Sequence, residues 1–186
     1  METIHNSKTT PDINQLVTGL QKEDSRNLSL TRNFTILMWV LAPLYLFLAI
    51  VGLIIDTPSI DQVGFLFFSL GFLAFGFLFR SLHADYKSVD YGIPTILMLQ
   101  KAAYRYKLWQ KKTYLTIIPV LLISIAASLT IQKGIPHSDL NMRLLIVFTG
   151  YFLVMIVAFF IGYLIWRKRQ KPLRDKALQL LAEFEK

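Results

Sequence analysis

Residues 144–166 read LLIVFTGYFLVMIVAFFIGYLIW, and the basic cluster RKRQK follows directly. The stretch contains no Asp, Glu, Lys, Arg or His. A helix rises about 1.5 Å per residue, so this stretch is long enough to cross the roughly 30 Å of hydrocarbon in a bilayer. The sequence therefore predicts a membrane-spanning helix that ends among cations at one face of the membrane.

Three further apolar runs lack ionisable residues in the same way, at residues 34–55, 63–79 and 113–131. The whole chain is 54% hydrophobic and only 17% charged, which is less charge than the surface of a soluble domain needs. We therefore predict an all-α fold, an integral membrane four-helix bundle with helical cytoplasmic extensions, and treat residues 1–186 as a single membrane domain.

The orientation follows from the distribution of cations. Residues 1–33, 80–112 and 167–186 hold 18 of the 20 Lys and Arg residues, whereas the other two connections hold only Lys133 and Arg143. Because cations beside a span resist translocation, both termini and the central connection are expected in the cytoplasm. The net charge of +8 then reflects topology rather than nucleic-acid binding. Residues 1–33 lack the pattern of a removable signal peptide.

Each cytoplasmic segment has a helical apolar pattern. Residues 1–33 predict a short helix with Thr10 as N-cap and Pro11 at its first position, and with an apolar face of Ile13, Leu16, Val17 and Leu20. In residues 167–186, Pro172 is expected to begin another helix, whose apolar face carries Leu173, Ala177, Leu180, Leu181 and Phe184.

The central connection predicts a long helix. Pro94 suits a first helical turn, and no other Pro or Gly occurs until Pro119, so residues 94–131 are expected to form one continuous helix. Its lower half has an apolar stripe at heptad spacing that needs a partner helix, namely Ile96, Leu99, Ala103 and Tyr106. On the outer side, Ser59 and Gln62 match a capping box that would start the second span.

The segment from Tyr86 to Tyr106 follows the pattern Y-x-x-V-D-Y-x-x-P-x-x-x-x-L-x-K-A-x-x-R-Y. This pattern, set between two pairs of spans, resembles small four-span proteins of Bacteroides-like bacteria, often encoded near extracytoplasmic-function sigma factors. The resemblance implies a regulatory or accessory membrane protein and brings no catalytic residues with it.

The sequence offers little for catalysis. There is no cysteine, and of the three histidines, His5, His83 and His137, the candidate is His83, which has a carboxylate two residues on at Asp85. No span pairs a nucleophile with a base, so we predict no enzyme activity, no cofactor and no metal site. A small transporter that uses bends at Pro43 and Pro119 remains an alternative, although the spans hold no ionisable group for coupling.

Small residues in the spans have two interpretations. Gly64, Gly71 and Gly76, and the Ser124 and Ser128 pair, could free backbone groups for a ligand or let helices approach closely. We favour close packing.

Aromatic and basic residues gather at the cytoplasmic boundary. Amphipathic rings and cations are typical of the headgroup layer, where anionic lipids attract Lys and Arg. The predicted lipid-headgroup contacts are Trp109, Lys111, Lys112, Trp166, Arg167, Lys168 and Arg169.

These patterns favour a non-enzymatic inner-membrane protein with a cytoplasmic helical docking surface, in a regulatory or accessory role. The predicted partner-binding residues are Leu173, Leu180, Leu181 and Phe184. A cytoplasmic or membrane protein is the expected partner, and a homo-oligomer is possible. The alternative is a small transporter or a lipid-binding membrane protein.

Overall fold

The computed structural model describes residues 6–136 and 139–184, and it confirms the predicted all-α fold. Within those residues there is no strand. The helices in chain order are α1 (Asn6–Ile54), α2 (Ser59–Lys87), α3 (Thr95–Arg105), α4 (Lys111–Leu115), α5 (Ile117–Ile131) and α6 (Leu140–Phe184), with a short 3-10 turn at Gln132–Gly134.

Four helical segments are long and apolar enough to cross a membrane: Ile13–Ile54, Ser59–Lys87, Lys111–Ile131 and Leu140–Phe184. They support a multi-pass membrane protein. α1 has 49 residues and α6 has 45. At about 1.5 Å per residue each is roughly twice as long as the hydrocarbon is thick, so both extend well beyond it. The basic segments 1–33, 80–112 and 167–186 are predicted to lie outside the hydrocarbon at the same end of the bundle, and we call this part of the protein the head.

The head has a hydrophobic core that joins α1, α3 and α6. Its buried members are Leu16, Leu20, Met98, Leu99, Ala102, Ala103, Tyr106, Ala177 and Leu180. Three of the four predicted heptad positions are buried, whereas Ile96 is 47% exposed and its predicted burial was wrong. The α3 stripe thus has its partners within the same chain.

Close contacts at small residues hold the spans together. A Cβ atom added at Gly64 would lie 2.5 Å from Cγ2 of Thr130, and one added at Gly71 would lie 2.7 Å from Cγ1 of Ile123. Both contacts join α2 to α5, and neither leaves room for a side chain. The packing interpretation of these glycines is therefore supported.

The membrane segment of α6 lies at the edge of the bundle. Val147 is its buried residue, and Tyr151 donates a hydrogen bond to the Val120 carbonyl of α5 at 3.2 Å. A Cβ atom added at Gly150 or Gly162 would meet nothing within 4 Å. This segment is therefore attached along one narrow face.

Both end helices are continuous with their spans, contrary to the sequence prediction. α1 begins at Asn6, so Thr10 is not its N-cap and Pro11 is not its first residue. Pro172 lies inside α6 rather than at the start of a new helix. Proline removes the hydrogen bond to the carbonyl four residues earlier, here that of Lys168. Pro172 and Lys168 are both exposed, so water can donate a hydrogen bond to the Lys168 carbonyl and the helix continues.

The predicted continuous helix at residues 94–131 was also wrong, because α3 ends at Arg105 and α4 begins at Lys111. The Gln110 amide Nε2 donates to the carbonyls of Arg105 at 2.5 Å and Lys107 at 3.1 Å. Trp166 Nε1 of α6 donates to the Tyr106 carbonyl at 2.9 Å. These side chains replace the backbone donors that a continuing helix would supply, and no Pro or Gly is needed for the break.

The predicted capping box at the start of α2 was wrong. Pro58 precedes the helix and no side chain caps its first turn. The Gln62 amide instead donates to the carbonyls of Thr57 at 2.8 Å and Gly52 at 3.2 Å. Gln62 therefore closes the hairpin between α1 and α2 rather than capping the helix.

Candidate functional site

The buried stripe of α1 carries two carboxylates. Leu16 and Leu20 are followed at helical spacing by Glu23 and Asp24, which are 7% and 5% exposed. Burial of a carboxylate is costly unless other groups donate hydrogen bonds to it or pair with its charge. The surroundings of these two side chains therefore define the candidate site.

Asp24 receives three donors from the segment between the second and third spans. Tyr106 OH donates to Oδ1 at 2.5 Å, while Tyr91 OH and Arg105 Nη1 both donate to Oδ2. Arg105 also forms an ion pair with the carboxylate. We call this group of four side chains the Asp24 clamp.

Local structure presents the donors to Asp24. The Asp90 carboxylate accepts a hydrogen bond from the Gly92 backbone amide at 2.7 Å, a short-range turn that directs the chain after Tyr91. Pro94, with φ −48°, lies directly before α3. The helix therefore begins at Thr95, one residue later than the sequence predicted. Arg105 and Tyr106 follow at the other end of this helix, next to the break.

The electrostatics of the clamp follow from burial. Burial raises the pKa of the Tyr91 and Tyr106 phenols well above their ordinary value of 10.0, and the hydrogen bonds to Asp24 raise it further. For Arg105, burial is the largest single effect and disfavours the charged guanidinium, but the charge and hydrogen bond of Asp24, together with the neighbouring tyrosines, outweigh it and raise the pKa of Arg105 above its ordinary value. At neutral pH the phenols thus remain neutral donors.

Glu23 extends the network to the third element of the head. Its carboxylate lies 3.5 Å from the Arg169 guanidinium of α6, just beyond the last span. Nearby, a Cβ atom added at Gly19 would lie 2.9 Å from Leu173 Cδ2, so α1 and α6 approach closely here. Adjacent carboxylates of α1 therefore hold both α3 and α6.

The clamp consists largely of residues from the Tyr86 to Tyr106 pattern, and its acceptor was missed by sequence reasoning. Glu23 and Asp24 are in register with Leu16 and Leu20, and that register was the available signal. Three donors occupy three of the roughly four acceptor positions of Asp24, which suits a structural clamp better than a proton-transfer group.

The predicted partner-binding residues lie mainly inside the head. Leu180 is buried at 4% exposure, and Leu173 and Leu181 pack against the same core. Phe184 is 45% exposed. The apolar face of the C-terminal part of α6 thus closes the bundle along most of its length. Partner binding by these residues stays a prediction.

The predicted headgroup residues divide into two groups. Arg167, Lys168 and Lys111 are exposed. The others have protein contacts: Lys112 pairs with Asp85, Arg169 pairs with Glu23, Trp166 donates to α3, and Trp109 stacks on Tyr114 with ring centres 5.7 Å apart.

The histidine candidates show no ligand cluster. His83 Nδ1 lies 3.3 Å from the Leu28 carbonyl and 3.5 Å from Thr31 Oγ1, where it joins α2 to α1. His5 and His137 lie outside the described residues. Across the part of the chain that the structure describes, no three His, Asp or Glu side chains are grouped to hold a metal.

Comparison with known proteins gives no relative: no family model matches the chain, and no curated protein or solved structure is significantly similar to it. The four apolar helices and the head are therefore the basis for any functional conclusion.

Proposed function

We propose that this chain is a non-enzymatic inner-membrane protein whose head faces the cytoplasm and docks a protein partner in a regulatory or accessory role. The cation distribution supports this orientation, since 18 of 20 Lys and Arg residues lie in the head segments. The sequence resemblance around Tyr86 to Tyr106 is what suggests regulation.

The observation that carries the proposal is an apolar patch on α3. Leu97 and Tyr104 are 49% and 67% exposed on the side of α3 away from its buried stripe, and Ile96, at the edge of that stripe, is 47% exposed. We call these three residues the outer patch. They lie in the head, where lipid tails would not cover them, and exposed apolar side chains grouped on one helix are typical of interaction sites.

Charge indicates what kind of partner fits. Lys101 is exposed one helical turn from Leu97, and Lys107 is exposed just beyond the end of α3, where its backbone amide donates to the Tyr104 carbonyl at 3.1 Å. An amphipathic helix with carboxylates along its apolar face would complement both features. We therefore propose that an acidic amphipathic helix of a cytoplasmic or membrane protein binds the outer patch.

The transporter alternative has less support. α2 and α5 are in direct contact at Gly64 and Gly71, which leaves little space between these spans. The spans also hold no ionisable side chain that could couple transport to a proton or ion gradient.

Site-specific photocrosslinking tests the docking function. A photoreactive amino acid at Leu97 should give a discrete protein adduct in intact membranes, whereas the same group at Gln21, an exposed position on α1, should give none. Reversal of Lys101 and Lys107 to Glu should abolish the adduct, because it repels an acidic partner. Equal adducts at both positions, an adduct with a second copy of this chain, or an adduct unaffected by charge reversal would contradict the proposal.

A further inference from the structure

A cavity of about 700 Å³ opens between the end of α2, the connection to α3, α3 itself and the start of α4. Its lining includes Asp85, Ser88 and Asp90 together with Lys101, Lys111 and Lys112. Tyr104 of the outer patch is also among its lining residues. The cavity therefore brings together charged side chains from three separate helices.

Cations outnumber carboxylates in this cavity. Four cationic side chains, those just named and Arg105, stand against the carboxylates of Asp85 and Asp90. Arg105 is engaged by Asp24 and Lys112 by Asp85. Among the described residues, Lys101 and Lys111 have no carboxylate within ion-pair distance, so two ammonium groups remain available to an anion.

An apolar groove of about 300 Å³ adjoins the charged cavity. Its walls are Ala74, Phe77 and Leu78 of α2 and Leu115, Ile118 and Pro119 of α4 and α5. Lys112 lines both spaces, and its Nζ lies 3.4 Å from the Ser81 carbonyl at the top of the groove. A cationic pocket thus continues into an apolar channel through one shared lysine.

The position of the two spaces matches the two parts of a lipid. The groove lies within the predicted spans, where hydrocarbon surrounds it, and the cavity lies at the start of α4, where Trp109 stacks on Tyr114. Aromatic side chains of this kind concentrate at headgroup depth. A molecule that is anionic at one end and apolar at the other would therefore fit both spaces at once.

The geometry points to a specific site for one anionic phospholipid, with its phosphate between Lys101 and Lys111 and one acyl chain in the groove beside Pro119. Lys112, held by Asp85 and the Ser81 carbonyl, separates headgroup from chain and keeps its ammonium at the mouth of the groove. Asp85 and Asp90 would repel a second anionic group, which favours a headgroup with a single phosphate.

Native mass spectrometry of the purified protein in detergent tests this site, with phosphatidylglycerol, phosphatidylcholine and glycerol 3-phosphate as probes. The protein should retain one phosphatidylglycerol in preference to phosphatidylcholine and should retain no glycerol 3-phosphate. The double variant K101Q/K111Q should weaken phosphatidylglycerol binding about tenfold. The matched control K22Q/K171Q removes two exposed cations away from the cavity and should have little effect.

A second variant tests the groove and separates a lipid from a free phosphate. Ala74→Leu adds an apolar side chain to the groove wall and should weaken phosphatidylglycerol binding several-fold without changing thermal stability. Retention of glycerol 3-phosphate, or full lipid binding by Ala74→Leu, would mean that the cavity binds phosphate and not a lipid. Equal losses in K101Q/K111Q and K22Q/K171Q would mean that binding depends on total charge alone, which also overturns the inference.

Discussion

The Asp24 clamp predicts a large and specific loss of stability when its acceptor is removed. In Asp24→Ala, the Arg105 guanidinium, whose side chain is 17% exposed, would lose its counterion, and two phenols would lose their acceptor. Breaking a buried ion pair from one side typically costs about 3–5 kcal/mol. Each hydrogen bond lost to a charged group costs about 1.5–3 kcal/mol on its own, and three of them together would exceed the cost of the ion pair. The range of about 3–5 kcal/mol therefore already allows for relaxation around the site.

Amide hydrogen exchange of α3 in detergent measures this loss directly, because α3 is held to the head partly by the clamp. A loss of about 3 kcal/mol should speed exchange of the α3 amides roughly a hundredfold, while amides in the middle of α2 should be unaffected. The control Asp175→Ala removes an exposed carboxylate from α6 and should leave exchange unchanged. Similar exchange in both variants would refute the reasoning, as would additive effects of Asp24→Ala and Arg105→Met in a double-mutant cycle.

Three further predictions follow from packing and protonation. Gly64→Ala should destabilise the spans by about 1–3 kcal/mol through overpacking, whereas Gly150→Ala, with no neighbour within 4 Å, should be neutral in thermal unfolding. Leu99→Ala should cost about 2–5 kcal/mol in the head, and the exposed Gln100→Ala should cost little by the same assay. Because the pKa of Tyr106 is raised in the folded state, its stabilising contribution is fully present below pH 10.0 and is lost as the pH rises further. The melting temperature should therefore begin to fall only above that pH, and it should fall less in Tyr106→Phe.

The spans were predictable because their signal is local. A run without charges must avoid water, and its length alone decides whether it can cross, so residues 144–166 are sufficient to identify a span. The cation count predicts orientation in the same local manner. Neither depends on which other helix lies nearby.

Helix continuity was harder to predict because it depends on groups far away in sequence. The break after Arg105 is stabilised by Gln110 within the segment and by Trp166 of the distant α6, and a glutamine by itself gives no sequence signal of a helix end. Conversely, Pro172 has the local pattern of a helix start, yet it lies within α6. Pro172 removes one backbone hydrogen bond of the helix, and packing of Leu173 and Leu180 against the head core outweighs that loss.

The clamp was only half visible in the sequence. Tyr91, Arg105 and Tyr106 belong to a conspicuous pattern, but Asp24 lies in a charged run that resembles a solvated helix face. Its partners are 67 to 82 residues away. Long-range pairing of this kind has no short-range signal except the register of the acidic residue with an apolar stripe.

The central claim is a four-span protein with its head in the cytoplasm, and cysteine accessibility in intact cells tests it most directly. The chain has no native cysteine, so single replacements report one position each. Ser59 in the hairpin after the first span and Ser88 in the head are both exposed. The account predicts that Ser59→Cys reacts with a membrane-impermeant maleimide in intact cells and that Ser88→Cys reacts only after lysis. Reaction of Ser88→Cys in intact cells, with Ser59→Cys protected, would contradict the orientation and with it the cytoplasmic docking function.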